Sequence, residues 1–254
     1  MSKPISLVDL DDTLFQTQTK MSRHRLADPF CIAAVTQDGV ARSFMTQEQY
    51  HFVNWLLSST HCIPVTARST AELERVNIRF RSWKIVAHGG VIITPTGETD
   101  KVWQDRVVSR LAPCAAPLRA MRHFLAGLLP DRHQASVRLC TEYHDVPVYL
   151  AVKFQDTPPA HSVDDLMDKV QAEFGTEGFH VHRNDNNLHW LPCCIDKGLA
   201  VEYLLEILRK EYGPIPVVGF ADSVNDYGFL KHCTWLGFPV HSQLARRVQK
   251  AIEE

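Results

Sequence analysis

The sequence lacks the features that would tie it to a nucleic acid or to a membrane. Its positive and negative charges nearly cancel, at a formal net charge of -2, so the chain has no overall attraction to polyanions. Its apolar runs are shorter than the roughly 18 residues of a membrane span, and its start lacks a basic stretch followed by an apolar run. We therefore expect a cytoplasmic protein with neither a nucleic-acid nor a membrane partner.

Cysteine pairs at zinc-ligand spacing are absent as well. The seven cysteines form an odd set without a Cys-x-x-Cys pair, which argues against a disulfide framework and a structural zinc site. We expect these residues, including the adjacent Cys193 and Cys194, to be mainly core thiols. The hydrophobic fraction of 45% over 254 residues is sufficient for a substantial core, in one large domain or in a core domain with a smaller insertion.

Short apolar runs alternate with helical patterns near both ends of the chain. This alternation predicts an α/β fold with a parallel sheet to which both ends contribute. The predicted strands are residues 4–8, 61–65, 84–87, 216–220 and 234–237.

Turn and capping residues place further elements between these strands. Residues 31–45 predict a hairpin about an Asp-Gly turn, and Thr46 with Gln49 predicts a capping box at the start of a helix. Helices are also predicted over residues 69–80 and 197–210.

The middle of the chain has a different order of elements, helix-strand-strand-helix-strand-strand. This order predicts an antiparallel sheet with two helices on one face, which is a separate α+β module. The predicted elements are a helix over 107–129, strands near 136–143 and 147–154, a helix capped by Ser162, and strands near 178–183 and 188–192. We therefore predict a core domain over 1–104 and 188–254, and an inserted cap domain over 105–187.

Carboxylates cluster where predicted strands end. Asp9 and Asp11 follow the first strand, so that one can attack phosphorus while the other handles a proton. A carboxylate nucleophile and a phosphate dianion repel each other, and a hard divalent cation such as Mg²⁺ would bind both. Asp222 follows a second predicted strand and supplies a further carboxylate, at the edge of the sheet where ligands bind in such folds.

Two further residues suit the binding of a phosphoryl group. Thr66 ends a predicted strand, and its hydroxyl and the amides that open the next helix can hold phosphoryl oxygens. Lys197 begins a helix and can neutralise the charge that develops on those oxygens. Each of these residues alone has an ordinary explanation in turns and caps, but all of them fall at element ends in one consistent order.

This order resembles the four motifs of the haloacid dehalogenase superfamily over the whole chain. The matching segments are Asp9-Leu10-Asp11-Asp12-Thr13-Leu14, Thr66-Ala67-Arg68, Lys197-Gly198 and Asp222 to Asp226. The segment from Ala87 to Ile93 is similar to the one that leads into the cap in the Cof-type, sucrose-phosphate phosphatase and phosphomannomutase-like branch. The resemblance implies a Rossmann-like core with a cap between the second and third motifs.

The resemblance also implies a role for each motif residue. Asp9 is the expected nucleophile, which forms an aspartyl-phosphate, and Asp11 is the expected general acid and then base. The substrate is expected to contact Thr66, Arg68, His88, Lys197 and Asn225. Mg²⁺ is expected to be bound by Asp9, the main-chain carbonyl of Asp11, Asp222 and Asp226, with Asn225 helping to orient that shell.

The chain departs from the family pattern at Asp12, where Gly is common, at Ala221, where Gly usually stands, and at His88, where Asn is usual. None of these changes removes a reacting group. His180, His182 and Arg183 lead into a turn of the predicted cap that either reads the leaving group of the substrate or is a solvated hairpin tip.

The expected function is Mg²⁺-dependent hydrolysis of a small phosphorylated metabolite, with sugar and polyol phosphates as the class that the branch favours. Two alternatives stay open: a sugar phosphomutase, and a non-catalytic protein that binds or senses a phosphorylated ligand. The sequence identifies neither the substrate nor the oligomeric state.

Overall fold

The computed structural model describes residues 3–131, 134–156, 158–175, 177–184 and 186–253. The strands of these residues are β1 (Ile5–Val8), β2 (Gln16–Thr17), β3 (Cys31–Val35), β4 (Ala41–Met45), β5 (His61–Pro64), β6 (Lys84–Val86), β7 (Val91–Ile93), β8 (Ala135–Glu142), β9 (Val146–Phe154), β10 (Phe179–Asn184), β11 (Asn187–Pro192), β12 (Val217–Phe220) and β13 (Trp235–Gly237). The α-helices are α1 (Gln18–Arg23), α2 (Gln47–Ser59), α3 (Thr70–Leu73), α4 (Lys101–Leu111), α5 (Ala115–Leu128), α6 (Ala160–Phe174), α7 (Lys197–Tyr212), α8 (Tyr227–Leu230) and α9 (Gln243–Glu253).

Both ends of the chain contribute to one parallel sheet, as predicted. Its strand order is β13-β12-β1-β5, and all three strand pairs are parallel. β1 lies in the middle and is buried along its whole length, which is why it is a continuous apolar run rather than an alternating pattern. The carboxyl ends of β1, β5 and β12 therefore open on the same edge of the sheet.

The predicted hairpin pairs β3 with β4, and β2 adds a third strand beside β4. Gly39 supplies the positive φ of 77° that the turn requires. The predicted capping box of α2 is also present: the Thr46 hydroxyl accepts from the Gln49 amide at 3.2 Å, and the Gln49 side chain accepts from the Thr46 amide at 3.0 Å. Local sequence signals determined these two elements.

The chain divides into two compact units. One takes the chain up to Asp100 and again from Asp196, and the other comprises Lys101–Ile195. The second unit holds an antiparallel sheet of order β10-β11-β9-β8. One face of this sheet packs on α5 and α6 through a core that includes Leu118, Leu150 and Trp190. The α/β fold class with an additional antiparallel sheet is confirmed.

The predicted helix over residues 69–80 is wrong beyond its first turn. Ser69 caps α3 through a capping box, but the helix ends at Leu73. The following residues bond to β3 instead: Asn77 N donates to Ala33 O at 2.7 Å, and Val35 N donates to Arg75 O at 3.0 Å. Pairing with a strand that is distant in sequence therefore overrides the local helical pattern.

The predicted helix over residues 107–129 is two helices, α4 and α5, separated by a 3₁₀ turn at Ala112–Cys114. Pro113 lies in that turn, where its missing N–H cannot continue the bonding of α4. The prediction that Ser162 caps α6 is also wrong. The helix begins at Ala160 after Pro159, so Ser162 lies inside the first turn.

The cysteines are less buried than predicted. All seven are free thiols, and Cys62 is buried, but Cys193 is exposed and the other five are partly exposed. None of the helices in the described part of the chain is long and apolar enough to cross a membrane. The cap turn identified from the sequence includes Asp185, which lies outside the described residues.

Candidate active site

Three neighbouring strands present polar side chains at one edge of the parallel sheet. Asp9 follows β1, Thr66 lies two residues after β5, and Asp222 lies two residues after β12. The strand register brings them together, because Asp9 N donates to Phe220 O at 2.9 Å and Val65 N donates to Val8 O at 2.7 Å. All three side chains belong to buried residues, so they lie in a medium where charge interactions are strong.

Lys197 links the first and fourth sequence motifs. Its ammonium donates to Asp9 Oδ1 at 2.7 Å and to Asp226 Oδ1 at 2.6 Å, and it lies 5.8 Å from the centre of the Phe229 ring. Lys197 is the first residue of α7, which Asp196 caps by accepting from the Leu199 amide. The cap fixes where the helix starts and therefore where the Lys197 side chain begins.

Close backbone packing holds this lysine in place. A Cβ on Gly198 would come within 2.4 Å of Gly228 O, so the start of α7 can approach α8 this closely only with glycine at this position. Asp226 directly precedes α8, within the 3₁₀ turn Val224–Asp226. The Gly198 contact therefore brings Lys197 and Asp226 to the same end of two packed helices.

Three carboxylates form a candidate cation site. Asp9, Asp222 and Asp226 each offer an oxygen, and these oxygens all lie within 4.8 Å of one another. Three carboxylates against one Lys197 ammonium leave two negative charges when all are ionised. Oxygen donors with this charge excess fit a hard divalent cation such as Mg²⁺.

The electrostatics of the carboxylates agree with that fit. Burial raises the pKa of Asp9 well above its ordinary value, Lys197 lowers it, and Asp226 and Asp222 raise it again. Burial also raises the pKa of Asp222 to about 7, with further contributions from Asp12 and Asp226. Carboxylates that are costly to ionise together are those that a bound cation stabilises most.

Asp11 and Arg68 form a bidentate ion pair. Arg68 Nε donates to Asp11 Oδ2 at 2.7 Å and Arg68 Nη2 donates to Asp11 Oδ1 at 2.8 Å. The guanidinium also stacks over Phe15 at 5.2 Å from the ring centre. The Asp11 side chain is 50% exposed whereas that of Arg68 is 17% exposed, so the arginine is anchored and the carboxylate faces solvent. Arg68 of the second motif therefore holds Asp11, which is the second carboxylate of the first motif.

A backbone hydrogen bond joins His88 to Thr66. Thr66 Oγ1 accepts from the Arg68 amide at 3.1 Å, and His88 N donates to Thr66 O at 3.1 Å. His88 is buried and has a φ of 56°, a left-handed conformation that Asn, Asp and His adopt more readily than other residues. The backbone therefore accounts for a His at a position where the family has Asn.

Backbone conformation and backbone hydrogen bonding also describe the other two departures from the family pattern, Asp12 and Ala221. Asp12 has a φ of 64°, a left-handed conformation that glycine adopts without a steric penalty. Ala221 is fully buried and donates its amide to Gly237 O at 3.3 Å. Asn225 is exposed, and its backbone amide donates to Ser223 Oγ at 3.1 Å.

One pair beside the site was not predicted from the sequence. Lys20, on α1, forms an ion pair with Asp12. In the sequence, Asp12 stands out only as a departure from the pattern of the first motif, and Lys20 belongs to no motif. The signal that was available is the spacing of eight residues across a turn and a short helix, which is too weak to identify such a pair.

No protein-family model matches this chain, and no curated protein matches its sequence.

Comparison with solved structures gives matches over nearly the whole chain. The sucrose-phosphatase of Synechocystis, solved with sucrose and phosphate, is 15% identical, with a TM-score of 0.57, over 98% of this chain and 87% of that one. The C-terminal domain of the C. albicans trehalose-6-phosphate phosphatase is 14% identical, with a TM-score of 0.59, over 91% and 73%. A haloacid dehalogenase-like hydrolase from Bacteroides thetaiotaomicron is 13% identical, with a TM-score of 0.50, over 99% of both chains. The chain therefore shares its fold with these three proteins.

Proposed function

We propose that this chain is a Mg²⁺-dependent phosphohydrolase that transfers the phosphoryl group of a small phosphorylated metabolite to Asp9. The observation that carries the proposal is the contact of one lysine, Lys197, with two carboxylates of a three-carboxylate cluster. A purely structural role would not favour three buried acidic groups around one cation, because the surplus charge is costly to bury. A phosphate and a divalent cation bound together would balance it.

Asp9 is the proposed nucleophile. Its carboxylate attacks phosphorus, the bond to the leaving oxygen breaks, and an aspartyl-phosphate forms. Lys197 already donates to Asp9 at 2.7 Å, so its ammonium is positioned to neutralise phosphoryl oxygens that arrive at that carboxylate. The Thr66 hydroxyl is the second proposed phosphoryl contact. Bound Mg²⁺, held by Asp9, the main-chain carbonyl of Asp11, Asp222 and Asp226, would supply charge neutralisation for both reactants.

Asp11 is the proposed proton carrier. It gives a proton to the leaving oxygen in the first step and takes one from the attacking water in the second. Its exposure suits that exchange, because its side chain is 50% accessible to solvent. Arg68 holds the ionised carboxylate through two hydrogen bonds. We expect Asp11 to take its proton from solvent and to turn from Arg68 towards the leaving oxygen when the substrate binds. His88 and Asn225 remain proposed substrate contacts, and Asn225 also remains a proposed support for the metal ligands.

A sugar or polyol phosphate is the proposed substrate class. The support is the fold shared with phosphatases whose names specify sucrose phosphate and trehalose-6-phosphate, at sequence identities of 15% and 14%. A cytoplasmic location is part of the same proposal.

The test is a panel of sugar and polyol phosphates, with p-nitrophenyl phosphate as a general reporter, assayed with Mg²⁺ and with a chelator. We expect phosphate release that requires Mg²⁺ in the wild type and is lost in Asp9→Asn, which keeps the shape of the side chain but removes the nucleophilic carboxylate. Asp168→Asn, at an exposed carboxylate on α6, is the matched control and should leave turnover unchanged. Retained turnover in Asp9→Asn rules out the mechanism.

Product analysis on any active hexose phosphate separates hydrolysis from the mutase alternative. A hydrolase releases inorganic phosphate in proportion to the sugar formed, whereas a mutase moves the phosphoryl group to a second hydroxyl of the sugar. Loss of substrate without phosphate release would replace the proposal by a phosphomutase.

A further inference from the structure

A fourth carboxylate lies beside the three that form the candidate cation site. Asp12 directly follows Asp11 in a tight turn in which Leu10 O accepts from the amides of the residues 13, 14 and 15. Its backbone is left-handed, with a φ of 64°, and its amide donates to Phe15 O at 2.8 Å. The turn therefore holds Asp12 close to Asp9, and the position of its backbone does not depend on a flexible loop.

Lys20 restrains the Asp12 side chain. The Lys20 ammonium donates to Asp12 Oδ2, and both side chains are largely buried, with 21% of Lys20 and 18% of Asp12 exposed. Lys20 lies in α1, where its amide donates to the capping hydroxyl of Thr17. The base of the lysine is thus fixed by a helix cap, and the pair is shielded from the screening that makes fully exposed ion pairs weak.

Asp12 lies in the turn that carries two of the proposed cation ligands. It directly follows Asp11, whose main-chain carbonyl is one of them, and it lies three residues after Asp9, which is another. Its oxygens are not among those that converge within 4.8 Å, and its Oδ2 accepts from the Lys20 ammonium. The Asp12 carboxylate therefore lies beside the proposed ligands but is directed to Lys20.

Whether a fourth carboxylate binds the cation affects which divalent cation the site prefers. Mg²⁺ requires a near-octahedral shell at short distances and retains several waters, whereas Ca²⁺ takes six to eight oxygen ligands in flexible geometry. A further carboxylate close to three others raises the affinity for any divalent cation, and it favours the larger one because that ion accepts more ligands.

We propose that Lys20 sets the cation selectivity of the site: by pairing with Asp12 it keeps that carboxylate away from the cation and offsets its charge, so that Mg²⁺ competes successfully with Ca²⁺. This inference rests on the proposed function, because it requires a cation bound at Asp9, Asp222 and Asp226. Lys20 is a positioning residue here, since it acts through Asp12.

The test is calorimetric titration of the full-length protein, without substrate, with Mg²⁺ alone and with Ca²⁺ alone. In Lys20→Met, we expect Ca²⁺ to bind about tenfold more tightly and Mg²⁺ to gain less, because one uncompensated charge and one extra ligand become available. In the double variant Asp12→Asn with Lys20→Met, the ratio of the two dissociation constants should return to the wild-type value. Lys210→Met, at an exposed lysine in the last turn of α7, is the matched control and should change neither constant.

The single variant Asp12→Asn gives a second readout, in which the cation affinities change in the direction opposite to that in Lys20→Met. It leaves the Lys20 ammonium beside the site without its carboxylate partner, so both cations should bind more weakly than in the wild type. This variant keeps the inference testable if Lys20→Met fails to fold.

The results that overturn the inference differ from those that overturn the proposed function. An unchanged ratio of Ca²⁺ to Mg²⁺ affinity in Lys20→Met, or the same shifted ratio in the double variant, overturns the inference alone. Tighter cation binding in Asp12→Asn also overturns it. If the wild type binds neither cation, or if Asp222→Asn binds both cations as tightly as the wild type does, then the cation site itself is wrong and both proposals fail.

Discussion

At the scale of single residues, the Asp11 and Arg68 pair shows how motif residues support one another. The guanidinium forms two hydrogen bonds to one carboxylate, and this bidentate geometry fixes the plane of the carboxylate as well as its position. From the sequence, Arg68 is predicted to contact the substrate. In the structure its carboxylate partner is Asp11 of the first motif. A pairing of this kind depends on side-chain rotamers and on a tight turn, and neither can be read from motif spacing.

Gly89 gives the sharpest prediction at this scale. Its φ is 93°, and a Cβ there would lie 2.4 Å from Asp196 O, just before Lys197. Gly89→Ala should lower the free energy of unfolding by roughly 2–4 kcal/mol, since it combines backbone strain with a backbone clash. Urea denaturation followed by circular dichroism measures this loss.

Gly97→Ala is the matched control for that change. Gly97 has a similar φ of 91°, but a Cβ there would meet nothing within 4 Å. Only the backbone strain applies, so the loss should be smaller, roughly 1–2 kcal/mol. Equal losses in the two variants would mean that the contact between Gly89 and Asp196 does not constrain the start of α7.

At the scale of elements, local signals predicted those whose partners are near in sequence. The hairpin of β3 and β4 and the capping box of α2 are both confirmed, because each is specified by residues within a few positions of one another. The helix over 69–80 was wrong because residues after Leu73 bond to β3, about forty positions earlier. Long-range pairing of this kind is not encoded in a helical pattern.

The capping box of α2 predicts a measurable contribution to stability. Thr46→Ala removes the hydroxyl that accepts from the Gln49 amide, and the unfolding free energy should fall by about 1 kcal/mol. Gln47→Ala changes an exposed residue at the start of the same helix and should stay within about 0.5 kcal/mol of the wild type. Urea denaturation of the two variants tests the difference, and an unchanged Thr46→Ala would show that the cap does not stabilise the helix.

At the scale of the whole molecule, the chain divides into two compact units whose limits depend on strand pairing. The predicted cap covers 105–187, whereas the second unit of the structure comprises Lys101–Ile195. β11 begins at Asn187 and pairs with β9 and β10, so it belongs to the antiparallel sheet, as the order of elements in the middle of the chain predicts. Sequence periodicity identifies such a strand, but it does not mark the residue at which a domain ends.

The acidic cluster predicts how the stability of the whole chain depends on pH. Burial, followed by repulsion from Asp12 and Asp226, raises the pKa of Asp222 to about 7, whereas an unfolded Asp titrates near 3.9. Between about pH 4 and pH 7 the cation-free folded state binds a proton that the unfolded state has lost, so this group's contribution to stability decreases as pH rises. Mg²⁺ should restore stability at neutral pH, because it binds the folded state with the carboxylates ionised.

Thermal unfolding in a chelator measures this dependence. The melting temperature of Asp222→Asn minus that of the wild type should be larger near pH 7.5 than near pH 5.5, because the two states of the wild type differ by about one bound proton. This difference in melting temperature should decrease when Mg²⁺ is present. The exposed Asp164→Asn serves as the control and should follow the wild type at both values. If Asp222→Asn and the wild type change in parallel with pH and with Mg²⁺, then Asp222 does not carry the buried charge described here.

The most direct test of the central claim is to find where the phosphoryl group goes during turnover. The wild-type protein is mixed with an active sugar phosphate and Mg²⁺, stopped in acid within a single turnover, and digested for mass spectrometry. We expect a phosphoryl group, labile to hydroxylamine as acyl phosphates are, on the peptide that contains Asp9, and its loss in Asp9→Asn. A phosphoryl group on another residue, or steady turnover with none on Asp9 at any time, would show that Asp9 is not the nucleophile.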